Sequence, residues 1–428
     1  MIEFNRIKSI NGEIVVPPDK SITHRAFLLA LMAEGKSLIK NPLESRDTLS
    51  TLNAVCKLGA NAEKKENGYA ISSKGYEKVI EPRDIIDCEN SGTTVRLITG
   101  ILAPRKKFFV LTGDDSLKKR PMDRVITPLS ELNARIYGRN NNKLLPICIL
   151  PSEMSGGNLE ARVKSAQVKS AVLLAAAQIR DISTYYEKVP TRNHTELMLQ
   201  QFGCNITSEK GSTTISGGIG LKAADIFVPG DFSSAAFFVA AALIFENSEI
   251  ILKNVGLNKT RTGMLDVLKK FGVNFETDVK NSRTGESYGD IYIKNQPFKG
   301  GIISGDIIAN IIDECPVLAA LGLFAETPVE IREAGELRIK ETDRIKAMVY
   351  NLKSLGARVD EFEDGLKVYP LEKVKTDCTL KSFDDHRIAM INILLSKRFG
   401  NIPIDDISSV DVSFPDFLSN IENIEVNY

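Results

Sequence analysis

The chain has 428 residues, 43% of them hydrophobic and 26% charged, the balance of a globular protein too long for one ordinary core. Its 55 Lys and Arg match its 55 Asp and Glu, so no global field draws it to nucleic acid or an anionic membrane, and anionic ligands must be held by local clusters. No run of about 18 uncharged apolar residues occurs, and Met1–Arg6 lacks the apolar stretch of a signal peptide, so the expected location is cytoplasmic. Cys56, Cys88, Cys148, Cys204, Cys315 and Cys378 are scattered without a C-x-x-C pair, which reads as reduced thiols and not as a disulfide frame or zinc site.

In chain order, the β-branched piece Ile14-Val15-Val16 leads into Pro17-Pro18-Asp19-Lys20-Ser21-Ile22-Thr23-His24-Arg25. The prolines set the approach to an apolar helix (SITHRAFLLALMA), with Lys20 and Ser21 at its start and Arg25 on the face of Ser21. A second helix (TLNAVCKLGANAE) closes at Gly59. Asn90-Ser91-Gly92-Thr93-Thr94-Val95-Arg96 opens the next apolar helix; Gly92 lets a ligand reach the backbone, while Asn90 and Thr93 offer hydrogen bonds. After the strand Phe108–Leu111 comes a polar loop, Gly113 to Pro121, whose three consecutive cations end at Arg120. Ser165-Ala166-Gln167-Val168-Lys169-Ser170 opens the third apolar helix, and Arg192-Asn193-His194-Thr195-Glu196 leads into a helix ending at Gly203. Phe227-Val228-Pro229-Gly230 reads as a crossing between domains. The fourth apolar helix starts near Asp231, and its companion (MLDVLKKFGVNFE) carries Gly272. Asp313 opens the fifth. Arg338 to Arg344 then packs five charges into seven residues, with Lys340 and Arg344 expected on one helix face and Glu341 beside them; the helix ends at Gly356. Asp384-Asp385-His386-Arg387 runs into the sixth.

The six apolar openings recur every 65 to 80 residues, roughly, and each following run is apolar nearly all round, hence a buried helix. Gly59, Gly203, Gly272 and Gly356 stand where left-handed helix caps belong. The chain therefore reads as α/β, six strand-helix-strand-helix-strand units, three in each of two domains. An ordinary doubly wound fold is the alternative, but its glycine-rich dinucleotide loop is missing. Polar residues concentrate at the helix openings, where free N–H groups and a partial positive charge favour anions. Each opening alone also reads as a capped, solvated helix end. The three histidines, His24, His194 and His386, are too dispersed for a metal site and read as hydrogen-bonded supports.

Taken in order, D-K-S-x-x-H-R at 19–25, N-S-G-T-x-x-R at 90–96, R-P at 120–121, S-A-Q at 165–167, K-E-T-D-R at 340–344 and D-H-R-x-A-M at 385–390 resemble the 5-enolpyruvylshikimate-3-phosphate (EPSP) synthases across essentially the whole chain. The Ser-Ala-Gln and Arg-Asn-His-Thr-Glu segments are similar to the bacterial class II branch. The resemblance implies an inside-out α/β barrel architecture of three βαβαββ units per domain, 19–228 in the first and 1–18 with 229–428 in the second. It also implies an active site in the interdomain cleft, closing on the first substrate, and a monomer. Shikimate-3-phosphate is then held by Lys20, Ser21, Arg25, Ser165, Gln167, Arg192, Asp313 and Lys340. Phosphoenolpyruvate is held by Lys20, Asn90, Gly92, Arg120, Gln167, Arg344 and Arg387. Asp313 takes the proton of the attacking hydroxyl, and Glu341, with Lys20, protonates the enol methylene and later reclaims a proton. Such an addition and elimination, a step of aromatic amino acid and chorismate biosynthesis and the target of glyphosate, needs acid–base groups and charge stabilisation but no metal or organic cofactor.

Two positions depart from the pattern: Val412 stands where many members carry a phosphate-contacting lysine, and Glu336 where the family has Asn. Two other functions share part of this pattern. UDP-N-acetylglucosamine enolpyruvyl transferase shares fold and donor, but its mobile-loop cysteine has no counterpart between Gly113 and Arg120. A repeat scaffold that merely traps anions gains nothing from acids at Asp313 and Glu341.

Overall fold

The computed structural model describes residues 1–280 and 285–427. Contacts divide the chain into two compact units. One comprises Pro18–Val228 together with Gly285 and Glu286; the other holds Met1–Pro17 and the chain from Pro229 onward apart from that segment.

In the first unit, three helices are buried on nearly every face: Lys20–Met32, Gly92–Leu102 and Ala166–Ala176. A helix without a polar face must be enclosed, and three sheets accompany these helices. Strand Ala33–Lys40 pairs antiparallel with Gly68–Lys74, which pairs with Asn61–Lys65; Leu221–Lys222 and Ile226–Phe227 complete that sheet. The second sheet runs Ile86–Asp87, Phe109–Thr112, Leu144–Leu150, Arg135–Gly138. The third runs Asn205–Glu209, Ser212–Ser216, Ile182–Tyr186, Asn158–Glu160. Each of its three repeats adds a second helix: Arg46–Lys57, Asp123–Glu131 and His194–Gln201.

The second unit repeats the scheme with Phe232–Ile244, Cys315–Leu321 and His386–Phe399 as buried helices; all thirteen residues of the first of these are buried. Its large sheet runs Phe275–Lys280, Tyr288–Lys294, Glu249–Gly256, Ile7–Val15, Glu425–Asn427. Ile7–Val15 lies parallel to Glu249–Gly256 with Asn11 opposite Glu249. The other sheet runs Ile302–Ile303, Val329–Ile331, Gly365–Val368, Val359–Phe362. In the sixth repeat Glu425–Asn427 pairs antiparallel with Ile7–Val15, while Leu380 and Ile404 make isolated bridges, to each other and from Ile404 to Ile2. No helix of the described residues is long and apolar enough to cross a membrane.

The four glycines expected at helix ends all have positive φ, Gly59 at 106°, Gly203 at 84°, Gly272 at 86° and Gly356 at 89°, each just after the capping residue. Gly100 is needed for a different reason: a Cβ there would lie 2.1 Å from the Ala171 carbonyl oxygen, so two buried helices touch backbone to backbone. Gly100→Ala must push these helices apart and is expected to destabilise by about 3 kcal/mol or more. Gly203→Ala, with no heavy atom within 4 Å of its Cβ, should lose only the left-handed backbone preference, about 1 kcal/mol. Urea unfolding of the two variants checks the ranking.

Candidate active site

In the first unit the predicted residues gather at the openings of the three buried helices. Asp19 caps the first by accepting from the Ile22 N–H at 2.8 Å. This leaves Lys20 in the first turn, where its Nζ meets Asp47 at 2.5 Å. Burial opposes the charge of Asp47, but Lys20 outweighs it and the carboxyl lies below its usual range. Ser21 gives its carbonyl to Arg25 Nη1 at 2.9 Å. Arg25 is 4% exposed and donates to the Thr195 and Ser170 hydroxyls, both at 2.7 Å. Burial brings its pKa down to about 10, still charged at neutral pH.

At the second helix, Arg120 donates to Asn90 Oδ1 at 2.8 Å, and Asn90 Nδ2 donates to Asp114 at 2.9 Å. Gly92 opens the helix, and a Cβ there would sit 3.3 Å from Arg96 Nη1 and 3.5 Å from Arg120 Nη1. Arg96 donates to Gln167 Oε1 at 2.5 Å, and Gln167 Nε2 donates to Thr93 at 2.9 Å, which joins the second and third openings. Ser165 caps the third through its backbone, its carbonyl accepting from Lys169 N. Arg192 is half-buried two residues before the His194–Gln201 helix. Arg25 and Arg120 thus donate to neutral hydroxyls, a carbonyl and an amide that fix their geometry, while the carboxylates of Asp19, Glu196 and Glu286 act on the Arg25 charge.

The second unit brings together Asp313, Lys340, Glu341, Arg344 and Arg387 around different chemistry. The helix expected to carry Lys340 and Arg344 on one face begins only at Arg344, capped by Asp343. Lys340 and Glu341 lie before it in a non-helical turn, because the Asp343 side chain takes the Lys346 N–H and ends the possibility of an earlier start. Likewise Glu314, not Asp313, is the capping position of Cys315–Leu321. Arg344 is buried and meets three carboxylates: Asp385 at 2.8 Å, Glu341 at 2.7 Å and Asp313 at 3.4 Å. Lys340 Nζ stands 3.7 Å from Asp313, and Arg387 donates to the Asp313 carbonyl at 3.1 Å. Burial opposes ionisation of Glu341, but Arg344 overrides it and holds the carboxyl well below the usual range. Glu336 lies in the turn Gly335–Ile339. The backbone of Val412 ends the turn Ser408–Val412, while its side chain falls outside the described residues.

Several neighbours were not singled out from sequence. Lys169 is buried between Glu187 at 2.8 Å and Glu196 at 2.7 Å. Arg261 donates to Asp231 at 2.7 Å and to Ser233 at 2.9 Å, and Ser233 donates to the fully buried Glu314 at 2.5 Å. Glu314 also lies 3.9 Å from Arg387. Only an acid at the mouth of an apolar helix hinted at Glu314; Arg261 gave no local signal. His24 is buried and His386 half-buried, and desolvation, the leading cause for both, lowers their pKa to about 3 and about 4. His194 hydrogen-bonds Glu286 at 2.6 Å.

These depressed values set a sign. Unfolded, both imidazoles take a proton near pH 6.5; folded, they do not until about 4 or below. Stability is therefore present above pH 6.5 and lost as pH falls below it, by about 1.4 kcal/mol per pH unit for each ring. Urea unfolding between pH 7 and 5.5, before most carboxylates titrate, should show this fall, with half the slope in His24→Gln.

The family model for EPSP synthase (3-phosphoshikimate 1-carboxyvinyltransferase) matches residues 4–421. A 3-phosphoshikimate 1-carboxyvinyltransferase of Bacillus pumilus is 45% identical over 424 residues, 98% of this chain and 99% of that one. One from Petrotoga mobilis is 43% identical over 99% of both chains. The EPSP synthase structure from Acinetobacter baumannii superposes with a TM-score of 0.89 at 34% identity, covering 99% of this chain and 98% of that one. The enolpyruvyl transferase NikO from Streptomyces tendae, at 15% identity and a TM-score of 0.77, shares the fold. By sequence over nearly its whole length and by fold, the chain belongs to the EPSP synthase family.

Proposed function

We propose that the protein transfers the enolpyruvyl group of phosphoenolpyruvate to the 5-hydroxyl of shikimate-3-phosphate and releases phosphate, as a cytoplasmic monomer. The observation that carries the reading is the division of labour between its two residue sets. Arg25 and Arg120, oriented by hydroxyls and an amide, are suited to phosphate and carboxylate groups. Cations held by Asp313 and Glu341 instead tune two carboxylates for proton transfer.

In the first half of the reaction Asp313 takes the hydroxyl proton, the oxygen bonds to C2 of phosphoenolpyruvate, and C3 gains a proton. In the second half the C2–O bond to phosphate breaks and the C3 methyl loses a proton. Glu341 serves C3 in both directions. Paired with Arg344 it is ionised, which suits the base role. The carboxylate of phosphoenolpyruvate, on reaching Arg344, weakens that pair, raises the Glu341 pKa and prepares it to carry the proton in the first half. Lys20 stands beside the donor phosphate and offsets its charge. Ser21, Arg25, Ser165, Gln167 and Arg192 hold shikimate-3-phosphate with Asp313 and Lys340, while Asn90, Gly92, Arg120, Gln167, Arg344 and Arg387 hold phosphoenolpyruvate.

Asp313→Asn and Glu341→Gln should bind shikimate-3-phosphate by calorimetry yet lose turnover by about 100-fold or more. Phosphate release with shikimate-3-phosphate, and none with UDP-N-acetylglucosamine, tests the activity itself; turnover near wild type in both variants overturns the assignment.

Glyphosate, the family's inhibitor, supplies a second check. The methyl of Gly92→Ala would press on the tips of Arg96 and Arg120, both flexible enough to let the protein fold. Crowding there costs about 1 to 3 kcal/mol, and the longer inhibitor has less slack than phosphoenolpyruvate. Its inhibition constant should rise by a larger factor than the KM for phosphoenolpyruvate; equal factors in steady-state kinetics would remove Gly92 from the inhibitor's wall.

A further inference from the structure

Two residues one turn apart on the Arg46–Lys57 helix serve the openings of two buried helices. Asp47 pairs with Lys20. Thr51 Oγ1 lies 2.6 Å from His24 Nδ1 and 2.5 Å from Thr94 Oγ1. Thr94 Oγ1 donates to Ser91 Oγ at 2.6 Å, and the same Ser91 oxygen accepts the Thr94 backbone N–H at 3.1 Å as the cap of the Gly92–Leu102 helix. The side chains of His24, Thr51, Thr94 and Ser91 are all shielded from solvent, none in a residue more than 1% exposed.

Counting protons gives this chain a single direction. A hydroxyl donates once. Thr94 spends its proton on Ser91, so Thr51 donates to Thr94 at 2.5 Å in preference to the Asp47 carbonyl, which lies 3.5 Å away. Thr51 then has none left for the histidine, so His24 Nδ1–H donates to Thr51. The other ring nitrogen, Nε2, is buried without a hydrogen-bond partner. As a bare acceptor it is the cheaper atom to leave alone, since orphaned buried N–H groups are the rarer case. Burial keeps the ring neutral, its pKa lowered to about 3, so one tautomer persists through the working range of pH.

We propose that His24 and Thr51 are positioning residues for phosphoenolpyruvate: the polarised chain His24–Thr51–Thr94–Ser91 fixes the cap of the Gly92–Leu102 helix and so aims the backbone N–H groups at its mouth. The inference rests on the enolpyruvyl-transfer reading, which assigns that mouth to the donor substrate. The residues assigned to shikimate-3-phosphate alone, Ser21, Arg25, Ser165 and Arg192, take no part in the chain, so the two substrates should respond differently.

Thr51→Val keeps the shape of the side chain and removes its proton. It should raise KM for phosphoenolpyruvate about tenfold while KM for shikimate-3-phosphate moves less than about twofold, and Thr51→Ser should restore both. In wild type, nitrogen-15 NMR should find His24 neutral and protonated on Nδ1 at pH 7. Equal rises in both KM values, an unchanged KM for phosphoenolpyruvate, or an Nε2–H tautomer would each overturn the proposal. If Thr51→Val does not fold, the tautomer and the Thr51→Ser kinetics decide. Failure of the underlying reading shows separately, as wild-type protein that does not turn over while the Nδ1–H tautomer stands.

Discussion

A guanidinium removed from water must be matched by charge, and the second unit is organised around that requirement at Arg344. Isolated burial of such an ion costs several kcal/mol. Asp385, Glu341 and Asp313 meet it from three different stretches of chain. Asp313 and Glu341 are therefore placed by the same cation, which also holds the Glu341 carboxyl below its usual range. Asp385 has a further duty, since it accepts the Arg387 N–H and caps the His386–Phe399 helix. Disturbing Arg344 would leave a cap, an acid and a base without their common anchor.

Why this chemistry collects at helix openings follows from the helices themselves. Phe232–Ile244 has no exposed face, and Lys20–Met32 and Ala166–Ala176 have almost none. A polar side chain deep in such a helix would be stranded, so the polar groups gather at and around the helix openings, where unpaired N–H groups also favour anions. The two units use those openings differently. In the first, hydroxyls and amides hold the arginines; in the second, carboxylates do. The first arrangement fixes the direction of the arginines, and the second holds the Glu341 carboxyl below its usual range.

Much of this was legible in the sequence because it is written locally. A run apolar all round means a buried helix, and Gly59, Gly203, Gly272 and Gly356 marked their ends by the conformation they permit. The clustering of Lys20, Asn90, Arg120 and Gln167 followed from motif order. What could not be read was settled by competition or by distant pairing. Lys340 and Arg344 are spaced as helical neighbours, yet Asp343 won the capping position between them. Lys169 lies in the segment that opens the third apolar helix, and only the return of the chain at Glu187 and Glu196 makes it a buried structural ion.

The strand Ile7–Val15 precedes the whole first unit in the chain, yet its partners are Glu249–Gly256 and Glu425–Asn427, far downstream. Across the insertion, Asp231 N donates to the Pro17 carbonyl at 2.8 Å, closing the segment between them at its base. On a ribosome, then, residues 18–228 can assemble while this strand waits with both edges unpaired. Its sequence is fitted to waiting: Lys8 and Glu13 put charges along it and Gly12 weakens its intrinsic strand preference, features that discourage pairing with the wrong chain. The second unit is completed only when its last strand emerges, so a nascent chain stalled before Glu425 would carry a finished first unit beside an open sheet, a ready substrate for chaperones and proteases.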